Sequence, residues 1–417
     1  MSRLIFHVDV NSAFLSWEAA RRVRDGKEDL RLIPSAVGGD PEKRTGVILA
    51  KSIPAKKFGV TTGEPVASAL RKCPGLILAK PDFRLYMRCS RDFMAVCREY
   101  APVVEQYSID ECFLDLSNTE LIYPDPVALA NTIKDRIRDE LGFTVNIGIS
   151  SNRLLAKMAS DFEKPDRVHT LFPDEIETKL WSLPVRALFS VGGSTADRLE
   201  RASIRTIGQL AQCDLETVQS LVGAKLGRQI HDYANGIDDS PVTAEESESK
   251  CYSISSTLAE DITNYEDAYR VLLALADSVA SRMRADSFMC QCVSVSVRTN
   301  SFKNRSHQRK IEATDITSEL YDVSKRLFDE LWDGRTPLRL LGISLSDLTR
   351  ERFVQLSLFP DEKAEEARER SRKLDRAVDD IRRRFGASTI VLGVPPDAEV
   401  GRKYKAQLGI SDNNDKN

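Results

Sequence analysis

The first seven apolar-leaning residues, LIFHVDV (4 to 10), form a nearly continuous hydrophobic run that predicts a strand buried on both faces. SAFLSWEAARRVRDG follows with helical spacing, setting Phe14 and Trp17 on one face and arginines on another. From about 26 to 80 the periodicity breaks into short pieces rich in Gly, Pro and Lys, which predicts a small, turn-rich insertion. Regular spacing then returns: a helix over 82 to 100, strands at 103 to 107 and 112 to 116, a helix over 126 to 141 and a strand at 143 to 149. With the first strand this gives the order βαββαβ, a split ferredoxin-like sandwich with the insertion between its first strand and first helix.

Beyond FEKPD (162 to 166) the chain turns helical and short-looped to about 238, and DDSPVTAEESESK (238 to 250) has the polar, aperiodic composition of a linker. Residues 251 to 348 repeat the βαββαβ order: strands near 251 to 258, 290 to 299, 302 to 312 and 339 to 347, with helices at 265 to 285 and 315 to 332. CQCVSVSVRT alternates valines with serines and Arg298, the pattern of a sheet with one wet face. After 350 come QLSLF and a charged helix in which LDRAVDDIRRRF sets Leu374, Val378, Ile381 and Phe385 on one stripe. The fold class is therefore α+β, in several domains, as 417 residues also require.

Composition adds bounds rather than chemistry. With 41% hydrophobic and 29% charged residues the chain is globular, and a net charge of -3 gives no overall nucleic-acid signature, so local charge must decide. Eight cysteines without a CxxC pair and four histidines without an HxxxH pair argue against zinc or a disulfide scaffold and for thiols in a reducing cytoplasm. No apolar run approaches 18 residues, and the apolar start is too short for a signal peptide, so a soluble cytoplasmic protein is expected.

The candidate chemistry lies in YSIDECFLDLS, which places Asp110 and Glu111 side by side at the hairpin between the two middle strands. Adjacent carboxylates repel one another unless something positive sits between them. Asp9, at the carboxyl end of the first strand, neighbours that hairpin in a ferredoxin-like sheet. A solvated hairpin is the plain reading of an isolated DE pair, but two flanking buried strands and a third acid oppose it here. Three carboxylates with no histidine make an oxygen-only site, suited to Mg²⁺ rather than Zn²⁺. Mg²⁺ usually completes its shell with substrate phosphates, and two ions about 3.5 to 4 Å apart stabilise both the attacking and the leaving oxygen of a phosphoryl transfer.

HVDVNSAFLSWE, YSIDECFLDLS and GISSNRLLAKMASDFEKPD resemble three ordered motifs of Y-family translesion DNA polymerases, the group of bacterial DNA polymerase IV, and the similarity runs over about 3 to 359. The resemblance implies metal binding by Asp9, Asp110 and Glu111 with the Val10 carbonyl, and a steric gate at Phe14, whose ring collides with a 2′-hydroxyl. It further implies a triphosphate contact at Lys164, with Lys157 structural or an outer charge. The chain departs from many relatives at Asn11, where they carry a second acid that is not an essential ligand. It departs also at Ile53 and Lys56, where a tyrosine and an arginine often serve the triphosphate; lysine keeps the charge without the bidentate fork, and Lys51 is placed to compensate.

The same resemblance names the domains: a catalytic palm at 1-12 and 82-172, fingers at 13-81, a helix-hairpin-helix thumb at 173-238, a linker at 239-250, a DNA-binding little finger at 251-350 and a tail at 351-417. Gly192 and Gly193 would let the thumb hairpin backbone approach a DNA phosphate. Residues 286 to 310 hold Arg298, Lys303, Arg305, Arg309 and Lys310 against one acid, Asp286, with alternation placing several on one face for duplex phosphates. Gln355, Leu358 and Phe359 of QLSLF match the peptide by which bacterial polymerases dock on the sliding clamp (β clamp). The expectation is a monomeric DNA-directed DNA polymerase using two Mg²⁺ ions, dNTPs and primer-template DNA, tethered to the clamp, with no membrane partner. The competing expectation is a DNA-repair scaffold that keeps the fold but little synthesis, favoured by Ile53 and opposed by the intact acid trio. A cyclase sharing the palm fold lacks a reason for the later DNA-binding domains.

Overall fold

The computed structural model describes residues 3–40, 46–245, 248–351, 362–386, 389–390 and 392, which fall into two compact units, one within 3–245 and one within 248–392. In the first, β1 (Ile5–Val10) is buried at every position, as its apolar run requires. α1 (Ala13–Arg24) buries Leu15 and Trp17 and ends on Arg21, Arg22 and Arg24, the favourable charge for a helix C-terminus. The insertion then folds as β2 (Ser35–Gly38), β3 (Ile48–Lys51), α2 (Ile53–Lys57), α3 (Val66–Lys72) and β4 (Ile77–Ala79). Its three strands form a sheet of order β3-β2-β4 around a small core of Ala36, Ile48, Ala55, Val60, Val66 and Leu76.

α4 (Phe83–Arg98), β5 (Val103–Gln106), β6 (Glu111–Asp115), α5 (Pro126–Arg136) and β7 (Val145–Ser150) complete the expected βαββαβ order. α6 (Arg153–Ser160) and β8 (Val168–Thr170) extend it, and the sheet runs β5-β6-β1-β7-β8. The first strand therefore lies between the third and fourth of the repeat, as the ferredoxin-like arrangement demands. Although α1 precedes the insertion in sequence, it packs into this sheet's core, where Phe6, Trp17, Tyr86 and Phe93 are fully buried. Gly148 lets α6 lie directly on β7, because a Cβ there would stand 1.9 Å from the Ala156 carbonyl oxygen. Four short helices close the unit: α7 (Gly193–Arg201), α8 (Ile207–Ala211), α9 (Leu215–Val222) and α10 (Ala224–Ala234), around Leu199, Ile207, Leu210 and Ile230.

The second unit contains β9 (Cys251–Ile262), α11 (Tyr265–Ala285), β10 (Met289–Thr299), β11 (Asn304–Thr314), α12 (Thr317–Leu331) and β12 (Leu338–Thr349). The element order repeats, but the strand order does not: the sheet runs β11-β10-β12-β9, so the last strand rather than the third pairs with the first. α11 and α12 cover one face, where Leu272, Leu275, Leu327 and Phe328 meet Val293, Val295 and Leu341. The other face is wet, with Ser294 opposite Ser344 and Ser344 opposite Ser253.

α13 (Glu362–Phe385) corrects the expectation of an apolar stripe. Leu374 and Phe385 are 62% and 73% exposed, and the helix is held by its charged face instead. Arg372 pairs with Asp315 at 2.9 Å, Asp379 with Arg284 at 2.7 Å, Arg382 with Asp277 at 2.7 Å and Arg368 with Glu319 at 2.6 Å. The α11–α12 layer presents these charges to α13, so charge complementarity outweighs the weak apolar pattern. QLSLF lies outside the described residues.

Candidate active site

Antiparallel pairing joins the two acidic segments. Asp9 at the end of β1 stands opposite Glu111 at the start of β6, and the Val10 amide donates to the Asp110 carbonyl at 3.0 Å. Residues directly opposite in such a ladder project from the same face of the sheet, so Asp9 and Glu111 share a side. Asp9, Val10 and Asp110 line a cavity of about 430 Å³ together with Phe14, Lys51, Ser52, Ile53, Lys56 and Lys164. Glu111 lies beside this cavity rather than in its wall, receiving a hydrogen bond from Lys157 at 3.0 Å.

Each acid has its own partner. Lys164 donates to Asp9 and, at 2.8 Å, pairs with Asp161, and Ser108 donates its hydroxyl to Asp110 at 2.7 Å. Burial pushes Asp9 up to about 6, and Lys164 only partly offsets that penalty. Asp9 and Asp161 in turn hold Lys164 above the ordinary lysine value, although burial works the other way. His7, buried beneath the pair, is held well below its ordinary value by burial and then by Lys157, so its 3.9 Å approach to Glu111 is not an ion pair near neutral pH. Its Nδ1 meets the Ser160 hydroxyl at 2.8 Å.

Among the described residues, no group of three or more His, Cys, Asp or Glu side chains is closed into a metal-binding cluster. The donor chemistry nonetheless fits a hard cation. Three carboxylates and the Val10 carbonyl offer only oxygen, and a desolvated Asp9 that one lysine leaves under-compensated favours further positive charge beside it. Asn11 is not part of that set. Its side-chain oxygen accepts from Thr144 at 3.0 Å and from the Asp166 amide at 2.9 Å, while its amide donates to Asn146 at 3.1 Å.

Phe14 forms one wall of the cavity and is itself packed by rings: stacked on Tyr86 at 4.7 Å and edge-on to Trp17 at 5.9 Å and Phe83 at 6.2 Å. Across the cavity Ser52 caps α2, accepting from the Ala55 amide at 3.1 Å. That cap fixes Lys56 and the exposed Ile53 at the rim. Lys51 donates to Thr62 at 3.2 Å, and burial and the neighbouring Lys56 charge lower it from the ordinary lysine value. A cleft with clustered lysines, an aromatic wall, two acids in its lining and a third beside it suits a polyanionic substrate.

The impB/mucB/samB family matches residues 8–161, its C-terminal domain matches 249–358, and a thumb domain described for DNA polymerase-iota matches 186–238. DNA polymerase IV of Clostridium acetobutylicum is 44% identical over 396 residues, covering 94% of this chain and 98% of that protein. The chain belongs to the DNA polymerase IV group of the Y family. DNA polymerase IV of Clostridium kluyveri is 38% identical, with the same coverage of both chains, and DNA polymerase IV 2 of Bacillus subtilis is 35% identical over 93% of each. A Y-family DNA polymerase chimera of known structure superposes with a TM-score of 0.73 at 21% identity, covering 84% of this chain and all of that one, a likeness of fold.

In this Y-family chain the two glycines expected to meet DNA stand at the start of α7. Gly192 is its N-cap with no side-chain cap, and a Cβ at either Gly192 or Gly193 would meet nothing within 4 Å. Packing within the fold therefore does not require glycine at either position. The basic residues of the second unit do not share one face. Arg305 and Arg309 stand opposite Val297 and Val293, on the helix-covered side, where Arg309 pairs with Glu330 at 2.6 Å. Arg298 and Lys310 project with the serines on the wet side, and Lys303 sits in the connecting turn. The period-two count across that hairpin is the reason: the turn fixes a register that interleaves the arginines. Sequence reasoning also passed over Glu18, whose only signal was its i+4 spacing from Phe14, and Tyr86, which lies on α4 and carried no local signal; Lys157, expected to be structural or an outer charge, bonds Glu111.

Proposed function

We propose that this polymerase works as a cytoplasmic monomer that adds deoxynucleotides to a primer 3′-end, assisted by two Mg²⁺ ions at Asp9, Asp110, Glu111 and the Val10 carbonyl and tethered to the sliding clamp by Gln355, Leu358 and Phe359. The observation that carries it is the β1–β6 pairing, which sets Asp9 opposite Glu111 and ties Val10 to Asp110 at the edge of a cleft walled by Phe14 and lysines. Magnesium bound there would neutralise the triphosphate and lower the pKa of the primer hydroxyl. Lys51, Lys56 and Lys164 draw the triphosphate in. Phe14 lies under its sugar and rejects a 2′-hydroxyl, each tenfold of exclusion requiring about 1.4 kcal/mol. The Gly192–Gly193 amides and the serine-lined sheet face with Arg298 and Lys310 meet DNA phosphates without reading sequence. Among the described residues no helix is long and apolar enough to cross a membrane.

The insertion that would close over the nascent pair is only a three-stranded sheet with two short helices, a light enclosure that fits tolerance of damaged templates. Primer extension by the purified chain with dNTPs and Mg²⁺, on intact templates and on templates with a damaged base, tests the reading. Extension on both is expected; DNA binding without extension on any template would favour the repair-scaffold reading.

A further inference from the structure

We infer that Glu18 is a positioning residue for sugar discrimination, acting through Tyr86 on Phe14; the inference rests on the reading of Phe14 as the gate under the sugar. Two of the three rings that touch Phe14, Phe83 and Tyr86, belong to α4 rather than to its own helix. Where the gate stands therefore depends on how α4 is seated against α1. Glu18, one turn beyond Phe14 on α1, makes that seat. It is 1% exposed, yet it lines no wall of the substrate cavity and serves no step of the proposed reaction.

Both of its oxygens are engaged. One accepts from the Tyr86 hydroxyl at 3.0 Å and the other from Arg21 at 2.5 Å. Arg21 also donates to Asp82 at 2.9 Å, and Asp82 caps α4 by accepting from the Leu85 amide at 3.1 Å. The chain Tyr86–Glu18–Arg21–Asp82 thus bolts the first turn of α4 to the third turn of α1. A buried carboxylate is a poor means of gaining stability, since apolar residues of similar volume often do as well, but a buried pair such as Glu18 and Tyr86, continued to the surface through the part-exposed Arg21 and Asp82, fixes one geometry. Here the geometry fixed is the direction in which the Tyr86 ring points, its hydroxyl end held by Glu18, while the ring lies stacked at 27° to the plane of Phe14. A gate that acts by steric contact needs such a backstop, because repulsion falls steeply when the ring can retreat.

The test is steady-state incorporation of dCTP and of CTP opposite template guanine by the full chain, its Phe14→Ala, Tyr86→Phe and Glu18→Leu variants, and the two double variants that combine Phe14→Ala with each of the others. Tyr86→Phe keeps the stacked ring and removes only the hydroxyl. Tyr86→Phe and Glu18→Leu are each expected to lower the deoxy-to-ribo ratio of kcat/KM by about tenfold, chiefly through a lower KM for CTP, with kcat for dCTP little changed. In the Phe14→Ala background neither should lower the ratio further, because both act through that ring. A parental ratio in Tyr86→Phe, or losses that multiply in the double variants, would overturn the inference while leaving the gate intact. A parental ratio in Phe14→Ala would instead remove the gate reading and this inference with it. Should Glu18→Leu fail to fold, Tyr86→Phe and its double variant decide by the same two criteria.

Discussion

Asn11→Asp restores the acid that many relatives carry, and the structure says that it destabilises this chain. Asn11 is 8% exposed, and its amide donates to Asn146 Oδ1 at 3.1 Å. An aspartate there sets oxygen against oxygen. Asn146 cannot turn to relieve the clash, since its own amide holds the Ser160 carbonyl at 3.0 Å and the Glu163 carbonyl at 2.7 Å. The bonds from Thr144 and the Asp166 amide to the other oxygen survive the change. The loss is one buried hydrogen bond together with an acceptor left unsatisfied, about 1 to 3 kcal/mol, with the new buried charge beside Asp9 bringing it to about 3 kcal/mol. For a unit of this size that corresponds to about 6 to 12 °C in the melting of the first unit. Differential scanning calorimetry and urea unfolding of parent and variant measure it, and extension should persist because the Asn11 side chain, at the cavity's border, is already engaged by Thr144, Asn146 and the Asp166 amide. A loss below about 0.5 kcal/mol would refute the reasoning, since the Asn11–Asn146 amide bracket would then be dispensable.

Arg284→Ala leaves Asp375 and Asp379 buried without their cation and should cost the second unit about 3 kcal/mol or more by chemical denaturation; a loss under 1 kcal/mol would show that α13 is not held by its ionic face. Arg298→Ala and Lys310→Ala should each reduce the slope of log affinity against log salt for duplex DNA by about 1, whereas Arg309→Ala, already paired with Glu330, should leave it unchanged. Equal effects at all three positions would contradict the assignment of the wet face. Deleting Gln355 to Phe359 should spare synthesis on short primers and abolish stimulation by the clamp, a comparison read directly from extension with and without clamp; undiminished stimulation would make the peptide incidental.

The elements were legible where burial alone dictates the pattern. β1 is buried on both faces because both are covered, with Phe6, Val8 and Val10 on one and Ile5, His7 and Asp9 on the other, and α11 runs from Tyr265 to Ala285 as its spacing predicts. The meeting of Asp9 with Glu111 followed from element order, since a ferredoxin-like sheet must place its first strand beside the third. Features set by partners distant in sequence were not legible. Nothing local distinguishes a β9 that pairs with β12 from one that pairs with β11, so the second sheet's strand order came only with the fold. α13 carried an apolar stripe, but the surface it meets is charged, and the partner's chemistry chose the face. Likewise Arg305 and Arg309 look equivalent to Arg298 in composition, and only the register of the β10–β11 hairpin separates them. Lys157 was legible as a structural or outer charge, but not its partner Glu111, because Gly148, which seats its helix, is meaningful only once β7 lies beneath it.

If Asp9, Asp110 and Glu111 together hold the metal ions of nucleotidyl transfer, Asp110→Asn is the substitution that exposes it. The substitution keeps the side chain's shape and leaves the backbone bond between Val10 and Asp110 in place while removing one anionic ligand. Primer extension in Mg²⁺ should fall by about 100- to 1,000-fold, the scale lost when a single preorganised charge-stabilising group is removed from an active site. Binding to primer-template DNA, measured in the same preparation, should be unchanged. Extension within a few-fold of the parent chain, with binding intact, would contradict the account.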